Sequence, residues 1–345
     1  MLTHINDLHV GVGRSGGTTP ASAYALRMYV LDELFKLLQQ TNDDLVVNGD
    51  LFDSFLVPMH DFLQTYFMFR DWLIKHPGKR LILVPGNHDL SKNATLKSSF
   101  DALAMLLYSE FRTRVTVVNE PTTMHYEGVT YHFIPHMPNQ ELFDLALTRV
   151  PVGTKYLFLH CNYDNKFAMQ QDHSLNLSPD QARAALVERI IIAHEHQRKI
   201  ALTGKVILPG NQIPTSVADC LGNADKHYLR LLPDKIEHIP VWQRDKVFTR
   251  ADWRELVNVG PDWQFVRVEG TATAAEAGLV VQQIAKLRST HKAFVISNAV
   301  QIEGNDLSKL SVSLEQIKQF DVLTALLKYL SPAEGKVVKK LLEED

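Results

Sequence analysis

Sulfur is scarce in this chain. Cys161 and Cys220 are the only cysteines in 345 residues, too few for a disulfide framework or a thiolate zinc site. The expected compartment is reducing and cytoplasmic. Net charge is small as well, −3 with the histidines neutral. Composition therefore announces neither a polycation for nucleic acid nor a membrane-binding surface, although a local basic face is compatible with it. No run approaches the roughly 18 apolar residues of a bilayer span. The opening MLTHINDLHVG has no basic segment leading into a long apolar one, the pattern of a secretory leader. Internal repeats and low-complexity tracts are absent. The glycine-rich stretch 11–17 lacks the lysine–serine pair of a P-loop, which argues against nucleotide cradling there.

What remains is the composition of a globular protein, 45% hydrophobic and 22% charged, long enough for one large domain or two ordinary ones. Apolar runs alternate with helical patterns. Strands are expected at 2–5, 44–47, 81–84, 115–118, 129–134, 156–159, 190–193 and 205–208. Helices are expected at 22–40, 59–75, 96–109 and 179–188, the last opened by Ser178-Pro179. This alternation predicts a layered α/β core. Two short strands at 228–231 and 236–239 read as a hairpin. A strand at 264–268, a helix at 274–289 and a strand at 293–297 then suggest a small second unit. From about 305 the chain reads as helical, with an apolar stripe from Leu314 to Leu330 broken by Ser331-Pro332.

Histidine is the residue in excess: there are fifteen. Polar clusters follow five of the expected strands. Asp7 and His9 follow the first, and Gly49, Asp50 and Asp53 the second, in GDLFD. Asn87, His88 and Asp89 follow the third, in GNHD. His160 ends YLFLH, and His194 and His196 follow IIIA, in AHEH. Loops at the C-terminal edge of an α/β sheet converge while rigid strands hold them, so five such clusters form one constellation. Asp-x-His and His-x-His place alternate residues on one face of an extended segment. Carboxylate, imidazole and amide oxygen together suit two divalent cations such as Mn²⁺, Fe²⁺ or Zn²⁺ better than Ca²⁺. Two carboxylates against two dications leave about two positive charges, which attract phosphate and acidify water.

DLH, GDLFD, GNHD, the lone His160 and AHEH, in this order, resemble the calcineurin-like metallophosphoesterase superfamily, over residues 5 to about 220. GDLFD, and KVILPGNQIPTSVAD over Lys205–Asp219, look most like the SbcD/Mre-type DNA repair nucleases of bacteria and phages. The resemblance implies a layered β-sandwich flanked by helices over 1–240. It further implies a small α/β capping domain contacting DNA over 241–303 and a helical tail over 304–345. In such nucleases the tail docks on an SbcC/Rad-type SMC-like ATPase. It implies that Asp7, His9 and His196 hold one metal and Asn87, His160 and His194 the other, with Asp50 bridging. The ions would most readily be Mn²⁺, with Mg²⁺, Fe²⁺ or Zn²⁺ as alternatives. His88 would face the scissile phosphate, Asp89 would orient its ring, and Asp53 would lie behind the ligands.

Two positions depart from the family pattern. Ala193 replaces the usual glycine before His-x-His and puts the loop path there in question, since alanine avoids positive φ. Asn6 replaces a serine and reads as neutral. Arg14, Lys92 and Lys97 could line a DNA groove or be ordinary solvated charges, as could Arg112 and Arg114. His136, in IPHMP, is left open between a bland histidine and one near the site. His4 and the remaining histidines read as solvated or core residues. Glu195 is expected to point away from the metals.

The expectation is a two-metal DNA phosphodiesterase, the nuclease subunit of an SbcC–SbcD-like complex and a homodimer, with helices 59–75 and 96–109 as candidate faces. Two rivals stand beside it. One is a phosphoesterase for a phosphomonoester or small nucleotide. The other is a non-catalytic scaffold that binds DNA ends, against which the intact ligand set argues.

Overall fold

The computed structural model describes residues 1–13, 19–91, 96–165, 174–220, 225–242, 246–260, 262–290 and 294–303. Arg14, Lys92 and the tail 304–345 lie outside them. Among the described residues before 243, fourteen strands follow one another: β1 Leu2–Ile5, β2 Asp44–Asn48, β3 Leu81–Val84, β4 Val115–Val117, β5 Thr122–Tyr126, β6 Val129–Ile134, β7 Tyr156–His160, β8 Asn162–Tyr163, β9 Asn176–Leu177, β10 Arg189–Ala193, β11 Lys199–Ala201, β12 Val206–Leu208, β13 Lys226–Leu231 and β14 Ile236–Trp242. They build two six-stranded sheets. One runs β14-β13-β1-β2-β3-β4 and the other β11-β12-β10-β7-β6-β5. The ligand-bearing strands are parallel within each sheet: β1 with β2, β2 with β3, and β7 with β10. Their C-terminal ends therefore emerge along one edge.

The alternation of strand residues explains the layers. In β3, Leu81 and Leu83 face the helices, while Ile82 and Val84 face the other sheet. Between the sheets, Leu2, Val46, Ile82 and Leu229 meet Phe133, Phe158, Ile191 and Ile207. Strands buried on both faces carry uninterrupted apolar runs, as LILV and IIIA do. A histidine sits in this interior. His4 is fully buried, stacks on Phe158 at 5.5 Å, and has no hydrogen-bond partner on either ring nitrogen.

Helix boundaries follow their caps. α1 Pro20–Gln40 opens on a Thr19–Ser22 capping box, and α2 Met59–Lys75 follows Pro58. α3 spans Ser99–Glu110, later than the sequence suggests, because Ser98 and Asp101 form the capping box that starts it. A fourth helix, Gln140–Thr148, is capped by Asn139. The helix expected over 179–188 is only Pro179–Ala184. It stops where Lys205 Nζ donates to the carbonyls of Arg183 and Ala185 at 3.1 and 2.7 Å.

Beyond the sandwich, β15 Phe248–Asp252, β16 Phe265–Glu269 and, after β17 Thr271–Thr273, β18 Phe294–Asn298 come into view; β15, β16 and β18 form a parallel three-stranded sheet. Phe248 and Phe265 each pack edge-on against Tyr29 of α1 at 5.6 Å. The helix Ala277–Thr290 buries Val280, Ile284 and Leu287. Among the described residues, Thr271–Leu279 and Gln301–Glu303 belong to a separate unit. Within it β17 pairs in parallel with β19 Gln301–Glu303, and a Thr273–Glu276 capping box starts a helical turn. No helix among the described residues is long and apolar enough to cross a membrane.

Candidate metal centre

The strand ends bring the candidate ligands into two adjoining clusters. In the first, His9 Nε2 and His196 Nε2 lie 3.0 Å apart, and one ligand atom each from Asp7, His9 and His196 falls within 4.8 Å of the others. In the second, Asn87 Oδ1 lies 2.9 Å from His160 Nε2 and 3.0 Å from His194 Nδ1. Asp50 stands between them, its Oδ2 3.3 Å from His160 Nε2 and 3.9 Å from His9 Nε2. It joins ligand-capable groups on both sides, with His9 and His88 and with His160 and His194.

The backbone is bent to achieve this. Asp7, His9 and Asp50 all have φ between +47° and +49°, and His194 has +96°. Left-handed backbone at four candidate ligand positions is strain concentrated where the side chains must converge. Two glycines make room. A Cβ on Gly49, itself at φ +84°, would come within 1.9 Å of His160 Nδ1. A Cβ on Gly86 would come within 2.2 Å of Asp50 Oδ1 and 2.4 Å of its backbone nitrogen. The glycine of GNHD thus serves close approach. Ala193 carries no such burden: it ends β10 in extended conformation, and the positive φ falls on His194.

Partners behind the ligands fix their orientation. His196 Nδ1 is 2.9 Å from Asp219 Oδ1, and Asp219 Oδ2 accepts from the backbone N–H of Thr215 at 2.8 Å and of Ser216 at 3.0 Å. Despite burial, the His196 ring and these donors hold Asp219 well below the carboxylate range, and Asp219 in turn raises His196. Asp53 Oδ1 lies 3.2 Å from His9 Nδ1, off the line of a good hydrogen bond but near enough to draw the proton there. Burial works against the charge on Asp50, yet His160, His9 and His88 hold its pKa low; Asp50 and Asp7 conversely raise His160 against its own burial.

These observations test whether divalent ions fit. With Asp219 taking the Nδ1 proton, His196 Nε2 is a lone pair, and it faces His9 Nε2 at 3.0 Å. Two imidazole nitrogens at that distance, each with a carboxylate behind it, repel unless a cation or a proton lies between them. Buried nitrogen donors, carboxylates and one amide oxygen are the donor set of borderline divalent metals. The residues fit.

The model of the calcineurin-like phosphoesterase family matches residues 1–198. The chain belongs to that family. Membership implies metal-dependent phosphoester hydrolysis; the family uses a dinuclear divalent centre, for which the two clusters are the candidate here. Among solved structures, the Thermus thermophilus protein TT1561 is 14% identical, with 70% of this chain and 98% of that one covered at a TM-score of 0.40. Pseudomonas putida nuclease MPE is 22% identical, with 46% of this chain and 60% of that one covered at a TM-score of 0.23. Comparison with curated proteins gives no match.

Some side chains of this calcineurin-like phosphoesterase, Glu195 among them, lie as its sequence suggests, and others do not. The Asp89 carboxylate does not aim the His88 ring. It accepts from the backbone N–H of Leu51, Phe52 and Gly86 at 2.9–3.2 Å, tying the GDLFD loop to the GNHD loop. Burial and the Asp50 charge push it up to about 7 against the pull of those donors. The His88 ring is exposed and held by the Asp53 carbonyl, 2.7 Å from Nδ1. Asn6 is not neutral: its Nδ2 donates to Asp7 Oδ2 at 2.5 Å, and its Oδ1 accepts from buried Gln212. Glu195 turns from the clusters to accept from Tyr163 N at 2.7 Å. His136 does reach the site, its ring edge-on to His160 at 6.3 Å; burial, with His160 beside it, depresses its pKa to about 4. Lys97 is exposed, just before the Ser98 cap. Arg114 is engaged elsewhere, donating to the carbonyls of Leu73 and His76.

Proposed function

We propose that this phosphoesterase cleaves DNA phosphodiesters, as the nuclease subunit of an SbcC–SbcD-type repair or recombination complex. The observation that carries the hydrolytic part is the pair of clusters sharing Asp50, with His88 exposed beside them. Asp7, His9 and His196 would hold one ion, Asn87, His160 and His194 the other, and Asp50 both. Two divalent ions, Mn²⁺ first among them, would supply positive charge to the phosphate and acidify water.

The chain's own residues have separable parts in this reading. The Asp53 carbonyl accepts from His88 Nδ1–H, so Nε2 is the nitrogen open to substrate. Protonated, that nitrogen donates to the departing ester oxygen. The Asp89 carboxylate keeps the loops of Asp50 and Asn87 in register. Asn6 and Asp219 orient Asp7 and His196.

The choice of DNA is supported by GDLFD and by the stretch Lys205–Asp219, whose Thr215, Ser216 and Asp219 fold together behind His196. Residues 241–303 would contact DNA as a cap, with Lys97, Lys92 and Arg14 along its path, and the tail would dock on the ATPase. A homodimer would use the apolar side chains exposed on α2 and α3: Leu63, Phe67, Ile74, Met105 and Leu106. Location in the cytoplasm belongs to the same reading.

The test is incubation with Mn²⁺ and linear duplex DNA, single-stranded DNA or p-nitrophenyl phosphate. DNA cleavage abolished by a chelator and by His88→Ala is the expected result. Turnover of the monoester with DNA intact would assign a small substrate. Inertness toward all three would favour a scaffold.

A further inference from the structure

Strands β10, β7 and β6 lie side by side and parallel, and each leads to a histidine at or just past its end. His194 follows β10, His160 closes β7, and His136 lies two residues past the end of β6. Their rings form a row across the sheet edge. His194 and His160 are 5.2 Å apart at 72°, and His160 and His136 are 6.3 Å apart at 86°. The first two belong to the second cluster. Among the described residues, His136 belongs to no group of three ligand-capable atoms within 4.8 Å.

His136 is nonetheless held in place. Its backbone N–H donates to the Pro85 carbonyl at 3.2 Å, the residue just before Gly86-Asn87-His88. The backbone that carries the half-buried ring is therefore tied to the loop of Asn87 and His88, and the ring keeps solvent access at the end of the row. Residue type matters at that place. A lysine or arginine would repel two dications, and a carboxylate would compete to bind them. An imidazole lying outside both ligand groups carries no fixed charge, and it offers one N–H donor and one lone pair.

We propose that His136 contacts the second ester arm of a phosphodiester substrate, the group that neither the ions nor His88 engages. This rests on the phosphodiesterase reading. Charge at the clusters serves the phosphoryl oxygens, and His88 serves the departing oxygen. A neutral donor beyond His160 is left for the ester oxygen and sugar of the retained nucleotide. A phosphomonoester has no such arm, so His136 discriminates the two substrate classes.

The experiment uses the full chain with Mn²⁺ and compares bis(p-nitrophenyl) phosphate with p-nitrophenyl phosphate. His136→Phe keeps a ring against His160 and removes the donor, whereas His136→Gln keeps a donor. His136→Phe is expected to raise KM for the diester about tenfold, the weight of one neutral hydrogen bond. It should leave the monoester KM and calorimetric Mn²⁺ affinity within about twofold, and His136→Gln should recover most of the diester loss. Equal loss on both esters, or weakened Mn²⁺ binding by His136→Phe, would make the residue a prop for His160 and overturn the proposal. If the unmodified protein hydrolyses neither ester, DNA cleavage judges the phosphodiesterase reading, and binding decides on His136. Anisotropy of a labelled phosphorothioate oligothymidylate should then show about tenfold weaker binding to His136→Phe, and equal binding would overturn the proposal.

Discussion

The two sheets arm the pocket in different ways. The first sheet supplies both carboxylates, the amide and one imidazole, from Asp7, Asp50, Asn87 and His9. The second supplies only imidazoles, from His160, His194 and His196. Backbone strain leans the same way: three of the four left-handed candidate ligands, and the glycines crowded against Asp50 and His160, follow strands of the first sheet, while Gly210 after β12 is crowded against the His196 carbonyl. The carboxylates and most of the strain thus sit on one side and imidazoles alone on the other. Each of the two clusters takes ligands from both sheets, so an ion bound to either ties the sheets together across the sandwich.

The comparison breaks most severely at Gly86. Its added methyl would meet the Asp50 carboxylate and backbone, both buried, with no flexible side chain to yield. Gly86→Ala is expected to destabilise the protein by more than about 3 kcal/mol and to uncouple Asp50 from His160. Urea unfolding with and without Mn²⁺ checks both. Near-normal stability together with metal stabilisation would show that the first sheet tolerates far more movement than its strain implies.

The next effect lies between the sheets. Burial depresses His4 to about 3 from an ordinary 6.5. Below pH 6.5 the unfolded chain binds a proton that the folded ring refuses, so this contribution to stability is lost as pH falls toward 3. At pH 4 the loss amounts to about 3 kcal/mol. His4→Leu should flatten that part of the stability–pH curve while differing little at pH 8. Parallel curves for the two proteins would mean that protonation of His4 does not limit the contact between the sheets.

The third effect tests support behind a second-sheet ligand. Asp219→Ala removes the carboxylate at His196 Nδ1 and should weaken Mn²⁺ binding about 10- to 100-fold. The loss should fall on one of two calorimetric binding steps. An equal loss on both would mean that the clusters are not separable units.

How much of this could be read in advance depends on where each partner lies in the chain. The seven candidate ligands were legible because each follows an apolar strand within a few residues, and parallel strands deliver such positions to one edge. The roles of Asn6, Asp89 and Asp219 were not. Asn6 acts through Gln212, 206 residues away, and Asp219 reaches back 23 residues to His196. Asp89 stands beside His88 in sequence but bonds to Leu51 and Phe52. Adjacency suggested a ring contact where the sheet register dictates a backbone one. Strand β5 and the helix Gln140–Thr148 escaped for another reason. β5 is an edge strand that is only partly buried, and the helix buries just Phe143 and Ala146, so neither shows a strong apolar period.

The smallest expected effect concerns Ala193, the counterpart on the second sheet of the glycines on the first. Gly49 and Gly86 each face His160 at distances no Cβ could occupy, and Gly49 also needs positive φ. Ala193 needs neither freedom, because it is paired with His160 along β7 and the turn is made one residue later, at His194. Restoring glycine there should gain nothing. Ala193→Gly is expected to cost about 0.5–1 kcal/mol through the larger entropy of the unfolded chain, with Mn²⁺ affinity unchanged. A gain in stability or in metal affinity would show instead that the AHEH turn is strained at Ala193, and that strain is shared between the sheets.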